Sequence, residues 1–421
     1  MKKDRFLPVV LMLIIISISH TSLFADKCNF HFDGSISREV LENYLSRAIT
    51  MLSMNIGMGN TEDNIRMLKN TGAKFVGRTI LLWGSESDIK DEKFLRLGSQ
   101  IAGQVHQIDP EIILQAGIFE IVTKDVNALT VPAWVFREFC LEPEDRKFDY
   151  NAMLFSDGRL LNHWGQGQSV PDISRLETKM WFFYLAVSYI NIGMESLHFG
   201  NVKLMSSNDP GYMHWWELLG RVRNYARRYA RRHFVLCDAH AYDGGYVLDD
   251  GRLLLDFHSF PLRIKETVGS PQKAELAVGY LDSIFGRSKG GITPSGWKCE
   301  HLAYQVEIDN WGSSGKAGQS VGGFWVWGYD EISWFAHQSE QYRNNWLRYA
   351  WNWVREHDSN GFLQMPGSRH LADPVDGRDR YFANTRSQSC PQGYNQEEII
   401  KAIWSEYSGC PTVEQGKDKL R

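Results

Sequence analysis

Short β-rich runs alternate with helical stretches along this chain, and the alternation limits its possible folds more than any other feature. Eight runs read as strands, at 49–57, 75–83, 112–120, 196–204, 234–241, 253–260, 304–311 and 324–329. Helical patterns fall over 61–71, 91–107, 174–192, 212–232, 271–285 and 332–357. Strands joined through a helix run parallel, because a parallel pair needs a crossover of a dozen or more residues. Eight of them let a parallel sheet close on itself. The expected fold is therefore an α/β (β/α)8 barrel, one domain over 26–410, with a polar tail at 411–421.

Asn60, Thr61 and Glu62 follow Gly59 as a helix start, and Ser174 with Glu177 has the spacing of a capping box. Two connections depart from the pattern. Residues 242–252 leave no room for a helix between the fifth and sixth strands, and a hairpin there would break the barrel. Residues 121–173 read as an elaborated loop over one face, carrying Trp134, Phe136 and Trp164. After His357 the turn formers Gly361, Pro366, Gly367, Pro374 and Gly377 read as an extension that wraps the barrel and ends in a short helix near 396–404.

The first residues add a location. Lys2, Lys3 and Arg5 precede an apolar run over 6–18 and small residues up to Ala25, the order of a secretion signal over 1–25. The run is shorter than the ~20 residues a membrane span needs. Asp26 and Lys27 before Cys28 argue against a lipoprotein. A secreted or periplasmic protein with no integral membrane segment after cleavage is expected. Its six cysteines are far apart, contain no CxxC pair, and leave disulfide connectivity open. A net charge of −4 offers no field for nucleic acid, and the arginine-rich stretch 221–232 reads as a solvated helix face.

Chemistry in such a barrel sits at the carboxyl ends of the strands. Asn55 ends the first run, Arg78 and Trp83 belong to the second, and Glu120 ends the third. His198 and Asn201 follow on the fourth, Asp238 and His240 on the fifth, and Asp256 and His258 on the sixth. Glu307 and Asp309 end the seventh, and Trp325 and Trp327 the eighth. Alternate residues on a strand share a face, so each Asp-x-His pair and the Glu307–Asp309 pair project together. Inward projection is expected, because an outward acidic pair would bury charge against the helix layer.

Carboxylates, histidines and tryptophans around one mouth are what cleavage of a glycosidic bond needs: one carboxylic acid to protonate the leaving oxygen, another carboxylate to attack or to activate water. Fifteen tryptophans and seventeen tyrosines suit sugar faces. Glu307 is the expected nucleophile or base, and Glu120 the expected acid with Asp238 and Asp256 behind it. The remaining mouth residues would bind a poly- or oligosaccharide, and no cofactor or metal is required. On Glu307 and Trp327 the layout resembles the large clan of (β/α)8 glycoside hydrolases with a glutamate nucleophile ending strand seven and an aromatic ending strand eight. It departs from that clan at strand four, where Asn201 is followed by Val202 rather than glutamate. Two other readings stand beside it. The two Asp-x-His pairs could ligate an ion in a metal-dependent hydrolase, or the barrel could bind carbohydrate without cleaving it.

Overall fold

The computed structural model describes residues 28–267, 269–270, 272–310 and 330–406. Eight parallel strands form its centre: β1 (Ala48–Met51), β2 (Phe75–Leu82), β3 (Ile113–Ile118), β4 (Ser196–His198), β5 (Leu236–Asp238), β6 (His258–Pro261), β7 (Tyr304–Glu307) and β8 (Gly361–Val375). Each is laddered to its sequence neighbour except across one seam, and β8 returns to β1. The seam lies between β5 and β6. There a single parallel bridge, His240 with Ser259, and the bonds Ser259 N–H to Ala239 O (3.1 Å) and Ala241 N–H to Ser259 O (3.0 Å) nearly close the sheet. The architecture is a (β/α)8 barrel.

The eighth strand is not where the sequence suggests. The run 324–329, with Trp325 and Trp327, lies outside the described residues, and the place between β7 and β1 belongs to Gly361–Val375. Pro366 and Gly367 hide this strand from a propensity reading, since both are depleted in central strands. The ladder with β1 skips Gly367, pairing Thr50 with Pro366 and Met51 with Ser368. A Cβ on Gly367 would lie 2.5 Å from Met51 Sδ and 2.7 Å from Thr50 O, so only glycine fits the bulge. Beyond the barrel β8 turns at Asp376 and Gly377 and pairs antiparallel with β9 (Arg378–Phe382).

Around the sheet lie α1 (Arg38–Leu45), α2 (Thr61–Thr71), α3 (Glu92–Ile108), α4 (Leu176–Asn191), α5 (Met213–Tyr229), α6 (Glu331–His337), α7 (Glu340–His357) and α8 (Glu397–Glu406). Asn60 caps α2, accepting from the Asp63 N–H at 2.9 Å. The expected capping box at Ser174 does not form: α4 begins after Arg175, and Glu177 instead accepts a bidentate pair from Arg146 at 2.8 and 3.0 Å. The stretch 332–357 breaks in two where Ser339 caps α7. Residues 272–285 hold turns and the short strand Ala274–Glu275 rather than a helix. Their backbone is satisfied from α7: Tyr342 and Tyr349 hydroxyls accept from the Ala274 and Leu276 N–H groups, and Trp346 Nε1 donates to Ala274 O.

Residues 242–252 do fold back on themselves, with an antiparallel bridge between Val247 and Leu253, yet β5 and β6 stay parallel on either side. Leu253, Leu254 and Leu255 are fully buried loop residues, so the apolar run at 253–260 becomes strand only at His258. Phe30, Phe32, Leu41, Tyr44 and Leu45 plug the barrel's amino end against Phe75, Ile113 and Leu236. The arginine-rich stretch is a solvated face only in part: Arg227 and Arg228 are exposed, while Arg223 is largely covered by its pair with Asp256, and Arg231 and Arg232 pair with Glu195 at 2.6 and 3.1 Å. Cys28 is disulfide-bonded, while Cys140, Cys237, Cys299 and Cys390 are free. Among the described residues, no helix is long and apolar enough to cross a membrane.

Candidate active site

A cavity of about 620 Å³ opens at the carboxyl ends of the strands. Arg78 lines it from β2 and Trp83 from just beyond it, Phe119 and Glu120 from beyond β3, Asn201 from beyond β4, and His240 and Tyr242 from beyond β5. Phe260 and Pro261 come from β6 and Arg263 from just beyond it, Asp309 and Asn310 from beyond β7, and Arg369 and His370 from β8. In a ring of eight strands β3 and β7 stand opposite each other, so Glu120 faces Asp309 across the mouth. Trp164 of the long 121–173 connection covers one edge, its Nε1 donating to Glu120 O at 2.9 Å and its ring 5.4 Å from that of Trp83. Trp134 and Phe136 of the same connection pack elsewhere, Trp134 on Phe183 and Tyr184 of α4 and Phe136 in the core. Trp83 is 44% exposed, an aromatic face open to a ligand.

Six of the expected residues thus share the cavity wall: Arg78, Trp83, Glu120, Asn201, His240 and Asp309. Glu307, His198 and Asp238 are buried directly beneath it. Three others are elsewhere. Asn55 donates to Gly98 O of α3 at 3.0 Å and is tied off outside the mouth. Asp256 precedes β6 and points at α5, accepting from Arg223 of that helix at 3.1 Å and from the Cys237 N–H of β5 at 2.9 Å. His258 opens β6, beside Ser288 at 3.2 Å. The outward acidic position is tolerated because Arg223 supplies the partner that the sequence argument lacked. The two Asp-x-His pairs therefore do not converge, and no group of three potential metal ligands occurs among the described residues.

The electrostatics centre on β7. Glu307 is 2% exposed, and both its oxygens are engaged. Oε1 contacts Arg78 Nη2, with His240 Nε2 at 3.6 Å; Oε2 accepts from Arg369 Nη1 at 3.0 Å and from Thr50 at 3.3 Å. Arg369 also donates to Asp309. Burial alone would raise both carboxyls, but the guanidiniums of Arg78 and Arg369 outweigh it and hold Glu307 and Asp309 below the usual carboxylate range. Glu120 Oε2 accepts from the Asn201 N–H at 2.8 Å. This approach is possible only past Gly200, where a Cβ would lie 1.9 Å from that oxygen.

Beneath Arg78, His198 Nδ1 lies 2.8 Å from Asp238 Oδ2. Burial, with Arg78 and His240 nearby, pushes the imidazole well below its ordinary value, so His198 is neutral and the contact is a hydrogen bond rather than an ion pair. Burial raises the Asp238 carboxyl to about 7. Sequence reasoning missed Arg369 because it lay in the stretch read as an extension. Its charge among turn formers gave no signal without the strand.

No protein-family model matches the sequence, and no curated protein sequence does. Among solved structures, a GH27 β-L-arabinopyranosidase variant from Geobacillus stearothermophilus in complex with arabinose is similar at 12% identity and a TM-score of 0.31, over 52% of this chain and 54% of that one. This chain thus spans about half the length of that neighbour. The Nostoc punctiforme debranching enzyme is similar at 10% identity and a TM-score of 0.43, over 83% of this chain and 70% of that one. Its acarbose-soaked form gives 9% and 0.43, over 90% and 83%. The (β/α)8 assignment rests on the chain's own strand pairing.

Proposed function

We propose that the chain is a glycoside hydrolase acting on a poly- or oligosaccharide outside the cytosol. One observation carries this reading: carboxylates on opposite strands, Glu120 beyond β3 and Asp309 beyond β7, face one cavity edged by Trp83 and Trp164. Cleavage asks for that pairing, an acid at the leaving oxygen and an ionised carboxylate on the other side of the sugar. Glu120 is the acid, since one of its oxygens is held by Asn201 and the other is left for a ligand. The β7 carboxylates supply the negative charge. Asp309 reaches the cavity as nucleophile or base, and Glu307, held ionised beneath it by Arg78 and Arg369, adds its negative charge to that side of the site. The signal-like opening and the disulfide at Cys28, a bond that persists in oxidising compartments, support export.

Purified protein should release sugar from a member of a polysaccharide and aryl-glycoside panel, and prolonged chelation should leave that rate unchanged. Asp309→Asn and Glu307→Gln should each cut kcat by roughly a hundredfold or more. Activity that disappears on chelation and returns with zinc, or full turnover in both variants, would remove this reading.

A further inference from the structure

Arg78 sits where the backbone does least to hold it. Its φ is 57°, the left-handed region, inside the register shift of β2, a conformation unfavourable for any residue with a Cβ. Yet this side chain supplies the contact to Glu307. A closed ring of hydrogen bonds fixes it. The Arg78 backbone N–H donates to Gln115 Oε1 at 3.2 Å, and Gln115 Nε2 donates to Asp238 Oδ1 at 2.7 Å. Asp238 Oδ2 lies 2.8 Å from His198 Nδ1, and His198 Nε2 lies 3.4 Å from Arg78 Nη2. The ring leaves from the main chain of Arg78 and returns at its guanidinium, through β3, β5 and β4. All four side chains are buried.

Chemistry sets the direction of each bond. A guanidinium only donates, so His198 Nε2 accepts, and a neutral imidazole then carries its proton on Nδ1 and donates it to Asp238. Gln115 presents its oxygen to Arg78 and its nitrogen to Asp238. Asp238 therefore accepts twice, which requires the carboxylate. Arg78 Nη2 has two hydrogens, one for Glu307 and one shared between His240 at 2.7 Å and His198.

We propose that Gln115, Asp238 and His198 are positioning residues whose ring holds Arg78 against Glu307, and that protonation of Asp238 opens the ring. A proton taken from water onto Asp238 Oδ2 makes that oxygen a donor toward Nδ1. The imidazole proton must then sit on Nε2, where it meets the Arg78 N–H donor to donor. His198 stays neutral, and the net gain is one proton on Asp238. The groups facing Asp238 are Gln115 from β3, His198 from β4, Ser259 from β6, Arg78 from β2, Glu307 from β7 and His240 beyond its own strand, and the neighbouring Cys237 and the Asp256 carboxylate before β6 also feel its charge. Burial places this titration at about 7, so the ring is closed above that pH and opens as pH falls through it.

The inference deepens the glycosidase reading and rests on it only for turnover, so the first readout needs no substrate. Nitrogen NMR of the full chain with 15N-labelled histidine, assigned with His198→Gln, reports the tautomer of His198. The wild type should show the Nδ1–H form at pH 8.5 and convert to Nε2–H as pH falls through about 7. Asp238→Asn should show Nε2–H throughout, because Gln115 is pinned by Arg78 and keeps the amide oxygen, leaving the amide nitrogen toward Nδ1. Adding Gln115→Glu should restore Nδ1–H: the introduced glutamate accepts from Arg78 and from the introduced amide, whose oxygen then faces His198. In turnover of the best aryl glycoside, Asp238→Asn should lower kcat roughly 10- to 100-fold with a smaller change in KM, and the double variant should recover it. A wild type in the Nε2–H form at pH 8.5, no transition near neutral pH, or a single variant with the wild-type tautomer would overturn the proposal. Should single-variant protein fail to fold, the wild-type titration decides alone. Tautomers that behave as stated in a protein that cleaves no glycoside would support the ring and sink the glycosidase reading.

Discussion

At the scale of single residues the mouth is built on close approaches that leave little room for substitution. Gly200 has a left-handed φ of 49° and no space for a Cβ beside Glu120 Oε2. Gly200→Ala should therefore displace the acid, and turnover should fall most for substrates with poor leaving groups, as it should in Glu120→Gln. Equal losses for good and poor leaving groups would argue that Glu120 is not the acid. Glu307 and Asp309 also set an acid limit. Their folded pKa values lie below the ordinary ~4, so the stability they contribute is fully present above that pH and is lost as pH falls toward the folded values. Urea unfolding should show this decline below about pH 4, where the two carboxylates begin to take up protons. Arg369→Gln strands the two buried carboxylates, so it should cost ~3–5 kcal/mol at pH 7 and flatten the decline. An unchanged slope would contradict the assignment.

At the scale of elements, α5 is stapled to the barrel by one buried ion pair. Arg223 reaches Asp256 Oδ2 and Leu254 O, and Asp256 in turn accepts from the Cys237 N–H at the barrel seam. Breaking one side leaves an uncompensated buried charge, so Arg223→Met should cost ~3–5 kcal/mol in chemical denaturation. Adding Asp256→Leu should recover part of that loss; no recovery would mean that the pair does more than neutralise itself. The pairing also shows why the Asp256–His258 motif misled. Period-two alternation does not apply to the pair, because the strand begins only at His258: Asp256 lies before it against Arg223 of α5, and His258 sits beside Ser288.

At the scale of the whole molecule, closure depends on residues far along the chain. β8 ladders to β7 on one side and β1 on the other, and carries Arg369 into the mouth. A chain ending at residue 357 should lose cooperative thermal unfolding, whereas a wrapping extension would be dispensable. A sharp, native-like transition in that truncation would refute the role given to β8.

The residue order by itself determined the barrel, since alternating strand and helix patterns with crossover-length links admit parallel pairing almost alone. Helix α2 was legible at 61–71 to the residue, because its start and its stop are local bonds made by Asn60 and Gly72. Glu120, Asp309, Asn201, His240 and Trp83 were legible as mouth residues because strand ends are local too. Only the tertiary structure decided which segment became the eighth strand, because Pro366 and Gly367 read as turn formers until β1 lies close enough to require them. It alone turned Asp256 toward Arg223 and brought Arg369 to Glu307, 62 positions apart in the chain. Such pairings are chosen by burial, which leaves a charge only the partner that packing brings to it.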